Sequence, residues 1–253
     1  MTLQSPMLSP IPIPSLLITG TDTGIGKTII AASIAQILHE QAHRVAVFKP
    51  CGSGCVHRRE GLVSEDAELL AHCANSRHPL DLICPQRYAE PLAPAIAAEK
   101  SGRPLDWDAI NRSIKIMSAD SDVMIVEGIG GLLVPMDDRH TFLDVAADMR
   151  SPAVIVARPA LGTINHTLLT LSALRSRNIP IAGAVINRYP TDTPNLAEET
   201  NPRAIEKWGK VPILAIVPDT PIRKTITPHP IPAAILDSLR LVDWARLAGL
   251  SDE

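Results

Sequence analysis

From residue 15 onward the chain alternates short, unbroken apolar runs with longer stretches of helical character. The short runs fall at residues 16–19, 44–48, 123–126, 153–157, 181–186 and 213–217, and are mostly Val, Ile, Leu and Ala. A strand covered on one face alternates polar and apolar side chains, whereas one covered on both faces does not, so these runs predict buried strands. Residues 27–41, 65–74, 107–118, 163–177, 202–208 and 233–248 predict helices. Strand-then-helix order gives a mostly parallel sheet with helices on both faces and right-handed crossovers, an α/β fold in one domain over residues 15–253. Ligands of such folds bind beyond the carboxyl ends of the strands, so chemistry is sought directly after each apolar run. Residues 1–14 lack the pattern. Pro6, Pro10, Pro12 and Pro14 allow neither a sheet ladder nor a continuous helix, which predicts a disordered or loosely packed tail.

After the first run comes Gly20-Thr21-Asp22-Thr23-Gly24-Ile25-Gly26-Lys27-Thr28. Glycines let backbone N–H groups turn inward as a nest, and the helix that follows adds a field favourable to phosphate. Lys27 then reaches the β- and γ-phosphates while the Thr28 hydroxyl ligates Mg²⁺. Five residues separate Gly20 from Gly26, one more than in the general phosphate-loop motif. A glycine-rich turn that binds nothing is the alternative, and the order strand, loop, Gly-Lys-Thr, helix argues against it.

The second run ends in Lys49-Pro50-Cys51-Gly52-Ser53-Gly54, the third in Glu127-Gly128-Ile129-Gly130-Gly131. Lys49 offers a second cation to the same phosphates, although on its own it also reads as a lysine snorkelling at a strand end. Glu127 closes a Walker-B-like strand and offers an oxygen ligand for a hard cation, against the alternative of an exposed strand-end acid. Asp66 opens a helix beside Glu65, where an acid ordinarily just complements the helix dipole. Asn187, before Arg188, ends the fifth strand and can donate and accept together, as an adenine edge demands. Pro218-Asp219-Thr220 follows the sixth.

Composition narrows the function classes. A net charge of −3, with 3 Trp, 2 Tyr and 2 Phe, gives neither a basic field nor stacking platforms for nucleic acid. No run approaches the roughly 18 apolar residues of a membrane span, and no export signal opens the chain, so a cytoplasmic protein is expected. Cys51, Cys55, Cys73 and Cys84 read as free thiols of a reducing compartment. Cys51, Cys55 and His57 match no common zinc spacing.

Gly-Thr-Asp-Thr-x-x-Gly-Lys-Thr after a strand resembles the phosphate loop of the dethiobiotin synthetases, and Lys49 to Ser53 is similar to that family's Lys-Pro-x-x-Ser-Gly. The resemblance runs from Leu16 to Pro218 with the motifs in family order. It implies a P-loop NTPase-type fold and a Mg²⁺-dependent ligase that uses ATP to carboxylate 7,8-diaminopelargonate with CO₂ and close a ureido ring. Lys49, Lys27 and Thr23 are implied as catalytic. Thr28, Asp66 and Glu127 are implied as the Mg²⁺ ligands. Gly24, Ile25, Gly26, Lys27, Thr28, Ile29, Asp66, Glu127, Gly128, Gly130, Asn187, Arg188, Pro218 and Asp219 are implied as ATP contacts. Ser53, with Leu161, Gly162, Thr163 and Asn165 from the partner subunit of a homodimer, is implied for the substrate. On the residues alone, Asn165 and His166 serve as well for capping or packing. The segment 88–94, broken by proline, resembles the family's wall of the substrate groove. Two positions depart from the family: Gly24 stands where some members carry Glu, and Ile129 where Ala is usual.

Two other readings compete. An amide ligase of cobalamin synthesis shares the loop but carries a glutaminase domain, for which too little chain follows Val217. A partition or septum-placement ATPase would carry a lysine early in the loop, where Thr21 and Asp22 stand, and often a basic membrane helix at an end that here is acidic.

Overall fold

The computed structural model describes residues 7–221 and 230–250. Its strands are β1 (Ser15–Gly20), β2 (Val45–Phe48), β3 (Cys51–Gly52), β4 (Val56–Arg58), β5 (Gly61–Val63), β6 (Gln86–Arg87), β7 (Val123–Glu127), β8 (Ala153–Ala157), β9 (Ile181–Tyr189) and β10 (Ile213–Pro218). Its helices are α1 (Lys27–Glu40), α2 (Glu65–Cys73), α3 (Leu80–Ile83), α4 (Pro94–Ser101), α5 (Trp107–Ser118), α6 (Phe142–Met149), α7 (Thr163–Ser176), α8 (Leu196–Gly209), α9 (Ala233–Arg240) and α10 (Trp244–Ala248).

The six apolar runs form one parallel sheet in the order β10-β9-β8-β1-β7-β2. β1, β2, β7 and β8 are buried along their whole length, as unbroken Val/Ile/Leu runs require. Each fully buried Leu, Ile or Val contributes about 1.5–3 kcal/mol relative to exposure. The chain leaves β1, passes the place of β7 to form β2, then returns to β7 and crosses β1 to reach β8. The winding therefore reverses beside β1, and right-handed crossovers put the helices of the two halves on opposite faces. A crevice opens where the order reverses, at the carboxyl ends. No helix among the described residues is long and apolar enough to cross a membrane.

Three expectations need correction. Residues 7–14 are tied down rather than loose, while residues 1–6 lie outside the described ones. Met7 and Leu8 donate their N–H groups to Asp148 Oδ2 at 2.8 and 3.1 Å, Ile11 donates to the Met149 carbonyl, and Leu8 is 1% exposed. Proline forbids a ladder but not packing: Leu8 enters the core, Met7, Ile11 and Ile13 pack against it, and borrowed acceptors fix the backbone. The helix expected at 202–208 begins at Leu196, where Asn195 and Glu198 form a reciprocal capping box; Pro202 lies inside it. The helix expected over 233–248 is two, separated before Asp243, whose side chain caps α10. The proline-broken segment is irregular over residues 88–93, as expected, and α4 begins at its last residue, Pro94, because proline at the first helical position forfeits an N–H that has no intrahelical partner anyway.

Candidate active site

Strand register decides what meets at the crevice. Ile18 pairs with Glu127 and Phe48 with Val126, so β7 and β2 end together with Lys49 emerging beside Glu127, while β1 runs two residues further to Gly20. Lys49 Nζ sits 2.9 Å from Glu127 Oε1 and 2.9 Å from Asp66 Oδ2, the latter delivered by the first turn of α2. The Thr28 hydroxyl, at the start of α1, donates to Glu127 Oε1 at 2.7 Å. Glu127 is 2% exposed, and its Oε2 has no hydrogen-bond partner among the described residues. A buried carboxylate oxygen without a donor is costly unless a ligand or ion completes it.

The charges respond to this crowding. Burial alone would lower the Lys49 ammonium, but Glu127 and Asp66 outweigh it and hold its pKa above the ordinary lysine value. Burial pushes the Glu127 carboxyl up, with Lys49 opposing. Asp66 is about half exposed; its partial burial pushes its carboxyl up, but Lys49 prevails and draws it below the usual carboxylate range. Lys27, 7% exposed, is brought down to about 8 by burial, with Lys49 adding to the effect and Glu127 opposing it. Its Nζ donates to the Asp22 carbonyl at 2.8 Å, folding the lysine back over its own loop.

Two glycines in the site are required by close approach. Gly26 has φ +93°, and a Cβ there would lie 2.2 Å from Asn187 Nδ2. Asn187, on β9 and buried, donates that nitrogen to the Ile25 carbonyl at 2.7 Å and so braces the phosphate loop from beneath. At Gly130, φ +54°, a Cβ would meet the Val134 side chain at 2.7 Å.

These groups line a cleft of about 900 Å³. Of the residues expected to act there, Thr23, Gly24, Gly26, Lys27, Thr28, Ile29, Lys49, Ser53, Asp66, Glu127, Gly128, Gly130, Asn187, Arg188, Pro218 and Asp219 all line it. Ile25 does not; its side chain is buried in the core. Leu161, Gly162, Thr163 and Asn165 do not line it either. They lie at the start of α7, with Leu161 86% exposed and Thr163 1% exposed. The segment 88–94 also stays outside, with Tyr88 packed in the core and its hydroxyl donating to the Arg103 carbonyl at 3.0 Å. Cys51, Glu65, Leu69, Ile129, Thr220, Pro221 and Ile235 complete the lining. Ile235 comes from α9, which no local motif ties to the cleft.

The donor set suits a hard cation held jointly with phosphate. Among the described residues no cluster of three or more His, Cys, Asp or Glu side chains is disposed to hold a metal. Two carboxylates and one hydroxyl would leave half of a six-oxygen shell to nucleotide and water, as Mg²⁺ sites commonly do.

A family model described as an AAA domain matches residues 14–225. The ATP-dependent dethiobiotin synthetase BioD of Thermodesulfovibrio yellowstonii is 36% identical over 208 residues, covering 79% of this chain and 87% of that protein. Its counterpart in Bacillus licheniformis is 42% identical over 205 residues, 79% of this chain and 84% of that one. Among solved structures, the septum site-determining protein MinD of Pyrococcus horikoshii, complexed with Mg-ADP, superposes with a TM-score of 0.54. That match covers 95% of this chain and 99% of the other at 16% identity, and shows a shared fold alone. The dethiobiotin synthetase relatives match in sequence at 36 and 42% identity across most of their length, and on that ground the chain belongs to the ATP-dependent dethiobiotin synthetase family.

Proposed function

We propose that this protein joins CO₂ to the two amines of 7,8-diaminopelargonate at the expense of ATP, releasing dethiobiotin, ADP and phosphate. One amine attacks CO₂ and loses a proton, giving a carbamate. A carbamate oxygen then attacks the γ-phosphorus as ADP leaves, and the second amine attacks the carbonyl carbon as phosphate leaves. Such chemistry makes little covalent demand on the protein; it needs reactants held in line and positive charge around the moving phosphoryl group.

The observation that carries this reading is the meeting of two buried lysines, Lys27 and Lys49, beyond a Gly-Lys-Thr loop in one cleft. Lys27 and the backbone N–H groups of Gly24 to Thr28 hold the phosphates, with Thr23 beside them. Lys49 faces the developing charge, and Ser53 on the loop behind it contacts the diamine. Asn187, Arg188, Pro218 and Asp219 face the base. Thr28, Asp66 and Glu127 would hold Mg²⁺, a role that the unpartnered Glu127 Oε2 fits. When bound, the ion supplies further positive charge to the phosphate oxygens.

The placement of Leu161, Gly162, Thr163 and Asn165 away from this cleft supports their serving the other subunit of a homodimer, with the N-terminus of α7 meeting the substrate carboxylate. Exposed Leu161 and Leu169 on that face fit an interface. Four buried free cysteines suit a reducing cytoplasm.

The test is ADP release by the purified protein with Mg·ATP and bicarbonate, with and without the diamine, reading dethiobiotin by mass spectrometry. One dethiobiotin per diamine-dependent ADP is expected. ATP hydrolysis indifferent to the diamine would overturn the proposal.

A further inference from the structure

Arg158 follows the last residue of β8 and is absent from the cleft lining, yet its guanidinium reaches the phosphate loop. Its Nη2 donates to Asp22 Oδ2 at 2.6 Å. Asp22 Oδ1 accepts the Thr23 N–H at 2.7 Å, and the Asp22 backbone carbonyl accepts from Lys27 Nζ at 2.8 Å. One residue thus ties together the loop's backbone, its phosphate-binding lysine and a cation from the neighbouring strand. The Thr21 N–H, donating to the Val156 carbonyl at 3.1 Å, continues the pairing of β1 with β8 into the loop and brings Arg158 alongside.

The geometry points to Arg158 as a positioning residue for the phosphate loop, acting through Asp22 by fixing its carboxylate and cancelling its charge. The reason is electrostatic. A carboxylate in a loop that receives a polyanion repels it, and a pair of N–H···O⁻ contacts restrains a loop that glycines leave free. Arg158 answers both needs without touching the nucleotide. As a surface pair, with side chains 43% and 50% exposed, it contributes little to folding. Its effect therefore falls on ligand affinity. The inference deepens the proposed ligase function, but its readout is nucleotide binding, which is measured without the diamine and stands or falls apart from the ring-closing reaction.

The experiment is a double-variant cycle on the full chain, with Mg·ADP affinity read by titration calorimetry and the fold checked by thermal melting. Arg158→Gln is expected to weaken Mg·ADP roughly tenfold, the size of one charge-assisted hydrogen bond, while the melting temperature moves little. In an Asp22→Asn background, where no carboxylate needs holding or neutralising, Arg158→Gln is expected to cost no further affinity. Wild-type affinity in Arg158→Gln would overturn the inference. So would a tenfold loss persisting undiminished with Asp22→Asn, which would place Arg158 on the phosphates themselves. Should glutamine prove poorly folded, Arg158→Lys, which keeps the charge but lacks the fork, enters the same cycle with a smaller expected loss.

Discussion

Lys49→Met removes the ammonium from between Asp66 and Glu127 and leaves Glu127, 2% exposed, without its countercharge. Removing one partner of a buried ion pair costs about 3–5 kcal/mol, chiefly because the remaining charge stays desolvated. At roughly 2–4 °C per kcal/mol for a domain of this size, the melting temperature should fall by about 6–20 °C in nucleotide-free protein with a chelator present. The fold survives, since domains carry about 5–15 kcal/mol, but the deficit depends on pH. Burial already raises the Glu127 carboxyl, and losing Lys49 raises it further. A carboxyl whose folded pKa exceeds its unfolded value holds its proton longer in the native state, so stability is lost as pH rises through that folded value. The deficit therefore narrows as pH falls toward the folded pKa of Glu127, and pH 6 and pH 8 are compared. Adding Glu127→Gln removes the orphaned charge and should recover most of the loss. Melting curves of the wild type, the single variants and the double at both pH values provide the assay. An unchanged melting temperature for Lys49→Met at pH 8, or a deficit that Glu127→Gln leaves untouched, would refute the reasoning. Turnover should be lost in every variant lacking Lys49.

Gly26→Ala forces a side chain into φ +93° and drives its Cβ against Asn187 Nδ2, breaking the brace to Ile25; together these cost about 2–3 kcal/mol. Lower melting temperature and weaker Mg·ADP binding are expected, and wild-type affinity would mean that the brace is dispensable. Lys27, at about 8 in the free protein, must regain its proton to meet phosphate above that pH, so affinity falls as pH rises past 8. Calorimetry in two buffers of different ionisation enthalpy should show proton uptake near zero at pH 7 and approaching one at pH 9; equal uptake at both sinks the assignment. For folding the sign is opposite: native Lys27 releases its proton at about 8 and the unfolded residue at 10.5, so its stability penalty diminishes across that interval.

What the sequence disclosed was what is locally determined. A phosphate loop is a turn, a lysine and a helix start, all within Gly20 to Thr28, and buried parallel strands announce themselves by lacking polar alternation. Lys49 and Glu127 were legible because each falls at the end of a strand; Asn187 stood out because it closes an apolar run, but it does not end its strand, since β9 continues to Tyr189. Ile235 was not, because only packing of α9 against α1 and β10 carries it there. The early start of α8 was written in Asn195 and Glu198, yet Pro202 reads more loudly as a beginning than as an interior residue. α6 follows a glycine loop and spans only Phe142–Met149, too short for a periodic signal. Residues 7–14 were misjudged because their acceptors, Asp148 and Asn111, lie more than a hundred positions away.

The tethered start of the chain has a practical corollary. Met7 to Pro14 is fixed at the amino ends of the strands, where the Pro14 carbonyl accepts from the Met124 N–H, and β1 then runs the full depth of the sheet before reaching the phosphate loop. A dye, a biosensor linkage or a solid support attached ahead of Met7 is therefore anchored at the pole opposite the reaction, leaving substrates unimpeded access. Attachment at Leu161 or Leu169 would instead occupy the face proposed above for a second copy.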